Sequence, residues 1–374
     1  MDEAGIVERV RAAMSSTGMN QVEFSSAIGL DPTKLSRSLS GARRLTSLEM
    51  ARIAEISGVT VDWLLGVPSP PMRTAARTSG SSAATDDAVR EARRLLRQRM
   101  DINELLPAPV AVAQVEVPSA GARTARGEKL AEAALQLVRE QGIPLPIEDL
   151  PAAIEMTFGI DVRIVDLESD CDGVALRCGD TGVIVVSTGD VLNRQRFTLA
   201  HELAHILARD DQELHIDVSV QSGQPDLSEL QANAFAAAFL MPADVLRAVP
   251  VSEGGLPQVT FDGLIANLKV SPSALAHRLC NLGIIDPEVR DQFVGVSAAT
   301  ALSRSGRRSD RYDWLNAARS TRLPMRLLAD LMWAFDQDEI TLRPLANLLG
   351  RDVEELRADL DWHGPAPEAY TPAS

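Results

Sequence analysis

The chain has 374 residues, 45% of them hydrophobic, enough for sizeable cores and for two or three domains. A formal net charge of −15 repels nucleic acid, so any DNA contact must be confined to a local basic patch. Cys171, Cys178 and Cys280 form an odd set without C-x-x-C spacing, which argues against a disulfide framework and a cysteine zinc site. No apolar run approaches the roughly 20 residues of a membrane span. The start also lacks a basic-then-apolar signal pattern, so a cytoplasmic protein without membrane association is expected.

The first 68 residues read as five short helices. Ile6 to Met14 is amphipathic, Asn20 to Ile28 forms a second helix, and Gly29-Leu30-Asp31 turns into a third from Pro32 to Leu39. Ala27, Ile28, Leu30 and Leu35 are expected to pack these together. Leu45, Met50, Ile53, Ala54, Ile56, Val61, Trp63 and Leu64 close the core with two further helices. A helix, a glycine-containing turn and a second helix make the helix-turn-helix unit, whose second helix enters the major groove. With Gln21 opening the second helix and Gly41 after the third, the region resembles the lambda-repressor-like XRE family. With Leu35 inward, Thr33, Lys34, Ser36 and Arg37 become base-edge candidates, joined by Gln21, and Arg43 and Arg44 become phosphate candidates. Every charged residue between Pro32 and Ser47 is basic, which favours a duplex-DNA operator over a protein-interaction role.

Residues 69–127 read as a linker. Pro68 to Pro71 ends the first domain, and Thr74 to Thr85 is rich in Ala, Ser and Thr. Asp87 to Met100 is a helix carrying Arg90, Arg93, Arg94, Arg97 and Arg99, expected to be a solvated connector. A Pro- and Ala-rich stretch follows, with Val110 to Val117 as a candidate exposed strand.

Residues 128–290 read as a small α/β domain. Leu130 to Gln141 and Ile147 to Phe158 have helical spacing, the latter ended by Gly159. Ile160 to Val165, Gly173 to Arg177 and Gly182 to Ser187 are predicted strands, giving a three-stranded sheet. Cys171 and Cys178 are read as ordinary reduced cysteines, a bond across adjacent strands being the alternative.

The segment Arg196 to Leu207 then places His-Glu-x-x-His inside an apolar helical pattern. His201 and His205, four residues apart, project from one helical face and can reach a single metal ion, with Glu202 beside them to accept a proton from a metal-activated water. The chain holds only five histidines, so this spacing around a glutamate is not a product of composition. A catalytic zinc takes three protein ligands. The third is sought on the buried helix from Ser228 to Leu240, capped by Asp226 or Ser228 and stopped by Pro242. Glu229 in its first turn is the leading candidate, with His215 and Asp226 as rivals.

These two segments, the second running E-x-x-A-N-x-F-A-x-x-x-L-M-P from Glu229 to Pro242, resemble the ImmA/IrrE metallopeptidases. The resemblance extends from about Glu128 to about Ile285. It implies a zincin-like zinc endopeptidase with His201, His205 and Glu229 as ligands and Glu202 as base. It also implies a helix-turn-helix repressor as substrate. Helices from Thr260 to Leu268 and Ser271 to Leu282 follow. The second bears His277, read as a partly buried structural histidine rather than an oxyanion donor.

Residues 303–363 are expected to form a helical carboxy-terminal domain, with helices at Tyr312–Ala318, Pro324–Phe335, Leu342–Leu349 and Val353–Leu360, before a disordered tail at 364–374. The last helix is acidic and unsuited to DNA, so packing, dimerisation or sensing is its expected role. The fold class is thus α+β and multidomain. Two functions fit. One is a DNA-binding stress-type regulator, active as a homodimer on a two-fold operator, whose zinc endopeptidase cleaves a repressor or the chain itself. The other is a transcription factor whose peptidase fold serves as a non-catalytic sensor or dimerisation body. Only hydrolysis needs Glu202, and its presence favours the first.

Overall fold

The computed structural model describes residues 3–17, 19–57, 59, 61–65, 73–78, 83–167, 171–209, 215–216, 227–251 and 255–360. The chain divides into two compact units, one ending at residue 72 and one running from Arg73 onward.

The first unit contains α1 (Glu3–Ser16), α2 (Gln21–Ala27), α3 (Pro32–Leu39), α4 (Ser47–Ser57) and α5 (Val61–Leu65). Local chemistry fixes its second and third helices. Asn20 and Glu23 form a reciprocal capping box at the start of α2. Asp31 caps α3, and the backbone N–H groups of Thr33 and Lys34 hold its carboxyl below the usual range. Gly29, at φ +63°, makes the turn between them in a conformation that favours glycine. Phe24, Ile28, Leu30, Leu35, Leu39, Met50, Ile53, Ala54 and Leu64 are buried together with Val10 and Ala13. Two expected core residues are not. Phe24 and Ile28 set the inward stripe of α2 and turn Ala27 to solvent, while Met50, Ile53 and Ala54 set that of α4 and leave Ile56 36% exposed. The side chain of Trp63 lies outside the described residues.

The second unit runs β1 (Arg73–Thr78), α6 (Ala83–Asn103), α7 (Arg123–Glu140), α8 (Leu150–Phe158), β2 (Ile160–Val165), β3 (Cys171–Cys178), β4 (Thr181–Ser187) and α9 (Leu192–Ala208). It continues through β5 (His215–Ile216), α10 (Leu227–Leu240), α11 (Ala243–Arg247), α12 (Gln258–Leu268), α13 (Pro272–Asn281) and α14 (Pro287–Val294). The helices α15 (Ala298–Arg304), α16 (Asp310–Arg319), α17 (Met325–Asp336), α18 (Arg343–Leu349) and α19 (Val353–Leu360) complete it. The result is a mostly helical α+β chain. No helix among the described residues is long and apolar enough to cross a membrane.

The three expected strands form a mixed sheet in the order β2-β4-β3, with β2 parallel to β4 and β3 antiparallel to it. Two further strands extend it. β1 pairs antiparallel with β3, and the two-residue β5 pairs with β1. The linker expected over 69–127 therefore contributes a sheet strand, and Thr74 to Thr78 is not a free connection.

Both sheet faces are covered. Ala175, Ile184 and Val186 join the core of α7, α8, α9 and α10 on one side, while Val174, Leu176, Val183 and Val185 join that of α6, α17 and α18 on the other. The expectation of a solvated arginine-rich connector is overturned here. Ala88, Ala92, Leu95, Leu96 and Ile102 form a buried stripe on α6, and each fully buried leucine contributes about 1.5–3 kcal/mol. Arg99 lies on that same stripe. Its guanidinium is paired bidentately with buried Asp161 at 2.7 and 2.8 Å and also bonds Asp330 of α17.

The helices after residue 303 belong to this same core. Arg322 exchanges backbone hydrogen bonds with Ile164 of β2 at 2.8 and 3.0 Å, and its side chain clasps buried Glu155 of α8 bidentately at 2.8 Å. A separate body at 303–363 is thus not what the contacts describe; 364–374 lies outside the described residues. The stretch 110–117 is irregular rather than an exposed strand. Val110 and Val112 are buried, and two backbone N–H groups, of Val112 and Ala113, bond the carbonyls of Asp180 and Phe158.

Candidate metal centre

Packing aims α9 at one point. Its first turns are tied down by Gln195, which donates to the carbonyls of Ser187 and Ala318, and by buried Arg196, which donates to those of Ile147 and Glu148. Burial lowers the Arg196 guanidinium to about 10. At the other end Arg177 of β3 donates to the Ile206 carbonyl at 2.8 Å. Between these anchors every residue from Thr198 to Leu207 is buried. His201 and Glu202 are fully enclosed, so their rotamers are set by the surrounding core.

α10 brings the third group. It packs against both α7 and α9, and Gly127 of α7 permits the approach, since a Cβ there would collide with the backbone of Gln231 and Phe235. Phe235 and Phe239 stack at 5.3 Å and Phe239 meets Phe158 at 6.2 Å, fixing the rotation of α10 about its axis. Glu229 consequently faces the histidines from the first turn. Helix α10 starts at Leu227, so Ser228 lies within it rather than capping it; Asp226 is outside the described residues.

The convergence is close. The Nε2 atoms of His201 and His205 are 3.1 Å apart, and each lies 3.2 Å from a different carboxylate oxygen of Glu229. One ligand atom from each residue lies within 4.8 Å of the other two. Ligands about 2.0–2.2 Å from a tetrahedral ion sit roughly 3.4 Å apart, so small adjustments place all three around one cation. Burial alone would raise the Glu229 carboxyl, but hydrogen bonds and charge from His201 and His205 outweigh it and hold it well below the usual carboxylate range. The side chain of Glu229 remains 32% exposed, which leaves the centre open on that side.

Asn233, the N of the E-x-x-A-N motif, has no role assigned to it from sequence. It lies one turn after Glu229, and its Oδ1 is 3.1 Å from His201 Nδ1. With the amide oxygen as acceptor, Nδ1 carries the proton and Nε2 presents a lone pair to the centre. The i, i+4 spacing of Glu229 and Asn233 was the available signal, since it places a ligand and a ligand-orienting amide on one helical face.

Glu202 points to the sheet. A Cβ on Gly173 of β3 would lie 3.4 Å from its Cγ and 2.8 Å from Thr198 Cγ2, so glycine is what lets the helix settle there. Burial, followed by the negative charge of Glu202, pushes the Cys171 thiol up to about 11, leaving it protonated and unreactive. Cys171 and Cys178 are buried thiols not joined in a disulfide, and they lie on one strand, not on adjacent ones.

Residues 155–280 match the IrrE N-terminal-like domain of the M78 peptidases. No curated protein matches the chain. The matched M78 region contains β2 to β4, α9 and α10, and therefore all three groups of the candidate metal site. Helix α7, expected to lie inside the peptidase domain, falls outside the match although it packs on α10.

Of the other expected residues, His277 is exposed and takes no part in the centre, because Ala276 and Leu279 occupy the buried side of α13. The side chain of His215 lies outside the described residues. In the first unit Thr33, Lys34, Ser36 and Arg37 are exposed on α3, Arg44 is exposed after it, and Gln21 is half-buried at the start of α2. Arg43 departs from its expected role. Its guanidinium pairs bidentately with Glu49 at 2.7 and 2.9 Å and bonds Ser38 Oγ, bracing α3 to α4 instead of facing a phosphate.

Proposed function

We propose that the M78 region is a working zinc endopeptidase and that the first unit binds a DNA operator, making the chain a regulator that cleaves a helix-turn-helix repressor or itself. The observation that carries the metal assignment is the convergence of two imidazole nitrogens and a carboxylate at 3.1–3.2 Å. This mixed N,N,O set leaves a position open and is the donor class of thermolysin-type zinc sites. When bound, zinc supplies a Lewis acid that polarises a peptide carbonyl and lowers the pKa of water to roughly 7.

The chain's own residues do the rest. His201, oriented by Asn233, holds its Nε2 lone pair towards the centre together with His205 and Glu229. Glu202 accepts the proton of the attacking water and returns it to the departing amine, so its carboxylate ends the cycle as it began. The apolar enclosure around it excludes competing water. In the first unit, the exposed Thr33, Lys34, Ser36 and Arg37 suit a major groove, with Arg44 on phosphate, and the overall charge of −15 restricts contact to that face.

The deciding experiment compares the zinc-loaded chain with Glu202→Gln, incubated with helix-turn-helix repressors and with themselves, and maps fragments by mass. The expected outcome is cleavage by the wild type only, with equal zinc content and operator affinity in both. Wild-type protein that purifies without zinc, or fragments that persist in Glu202→Gln, would overturn the assignment.

A further inference from the structure

The edge of the sheet beside Glu202 is occupied by the chain's own extended segment. β1 lies antiparallel on β3 from the pair Arg73–Arg177 to the pair Thr78–Cys171, with the register shifting between Arg77 and Thr78. The partner of Arg77 is Gly173. That glycine is the point at which α9 touches the sheet, since a Cβ there would press on Thr198 and Glu202. The backbone of β1 therefore runs one strand spacing, about 4.8 Å, from the residue on which the candidate base rests. α9 reaches over β3 to contact β1 as well.

A sheet edge at this place is suited to hold an extended peptide by main-chain hydrogen bonds, which present the peptide's backbone rather than its side chains. The residues of β1, Arg-Thr-Ala-Ala-Arg-Thr, include no proline to interrupt a ladder and no large apolar group to anchor it in a core. Among the described residues, its other neighbour, β5, pairs with it at Ala75 with His215 and Ala76 with Ile216. β1 is also the first element of the second unit, immediately after the segment that joins it to the amino-terminal helices. The backbone ladder joins β1 to β3, and another extended peptide can offer the same ladder.

We infer that Arg73–Thr78 is a cis-acting occupant of the peptide-docking edge of the metal centre, and that a substrate peptide reaches Glu202 by taking its place on β3. The inference rests on the peptidase reading and adds an occupant to it. β1 thereby limits access to the centre in the resting chain.

The test uses the full chain and does not depend on turnover. Successive amides of a strand point to opposite sides, so Ala75→Pro together with Ala76→Pro removes a donor towards β3 whichever of the two faces it. Hydrogen exchange is followed in the peptides covering residues 171–178, with those covering α10 as a check that the body remains folded. The β3 amides facing β1 should exchange at least about tenfold faster in the variant. An acetylated, amidated Arg-Thr-Ala-Ala-Arg-Thr peptide should bind the variant, restore the lost protection and bind the wild type much more weakly. Equal β3 exchange in both proteins, or equal peptide binding by both, would overturn the inference. Zinc content is measured alongside: its absence from the wild type removes the peptidase reading, whereas the exchange result alone decides who occupies the edge.

Discussion

Helices α6 and α9 lie against opposite faces of one sheet, and each carries ionisable groups into the interior, yet the two sets are arranged for different ends. On α6, Arg99 meets two carboxylates whose oxygens take up its N–H groups, so donors and acceptors are matched within the fold. On α9, His201 and His205 bring two nitrogens together and aim them at a carboxylate, an excess of lone pairs over protons that a cation would complete. Burial of charge does not by itself mark function. A matched set braces the fold, whereas a converging set of like acceptors asks for a ligand.

Mutations that separate the two cases follow, from the largest effect to the smallest. His201→Ala or His205→Ala should abolish stoichiometric zinc binding, read by metal analysis of the purified chain, while leaving the unfolding midpoint in chelator nearly unchanged. Arg99→Met should do the reverse. It leaves Asp161 buried without its partner, and denaturant unfolding should show a loss of about 3–5 kcal/mol, with zinc stoichiometry preserved in the folded fraction. If Arg99→Met released zinc as readily as His201→Ala, the distinction between the faces would collapse.

Asn233→Ala is intermediate. It removes the acceptor that orients His201, and competition with a chelator should show zinc affinity reduced about 10- to 100-fold. Asn233→Asp should restore much of that affinity, an outcome that a purely structural role would not give. The first unit offers the smallest contrast. Arg37→Ala should weaken operator binding and relax preference at one base position, measured across single-base operator variants. Arg43→Ala should instead make the amino-terminal helices unfold earlier on heating, because its partner is Glu49 rather than DNA.

The candidate metal site was largely legible in the sequence because each half of it is local. A 3.6-residue repeat puts His201 and His205 on one face, and the first turn of α10 is a short distance along the chain. The three central strands were legible for the same reason, and so was the stop at Gly159, which the structure places at φ +66°. The covering layer over the sheet was misjudged. Val183, Ile184, Val185 and Val186 are four consecutive apolar residues, all buried, which in a strand requires cover on both faces. That run was the signal that α6 and the last helices belong to the sheet, and the arginines of α6 obscured it.

The sequence by itself determined where most of the helices and the three central strands form, which histidines share a face, and that Gly29 and Gly159 mark turns, because these depend on neighbours a few residues apart. Only the tertiary structure decided that Arg99 is an internal brace, that Arg43 pairs with Glu49, that Asn233 orients His201, and that Arg73–Thr78 lies along β3 next to Glu202. Each of these depends on groups brought together by packing. Charge and composition read along the chain carry no information about which opposite charge, acceptor or strand edge will be waiting there.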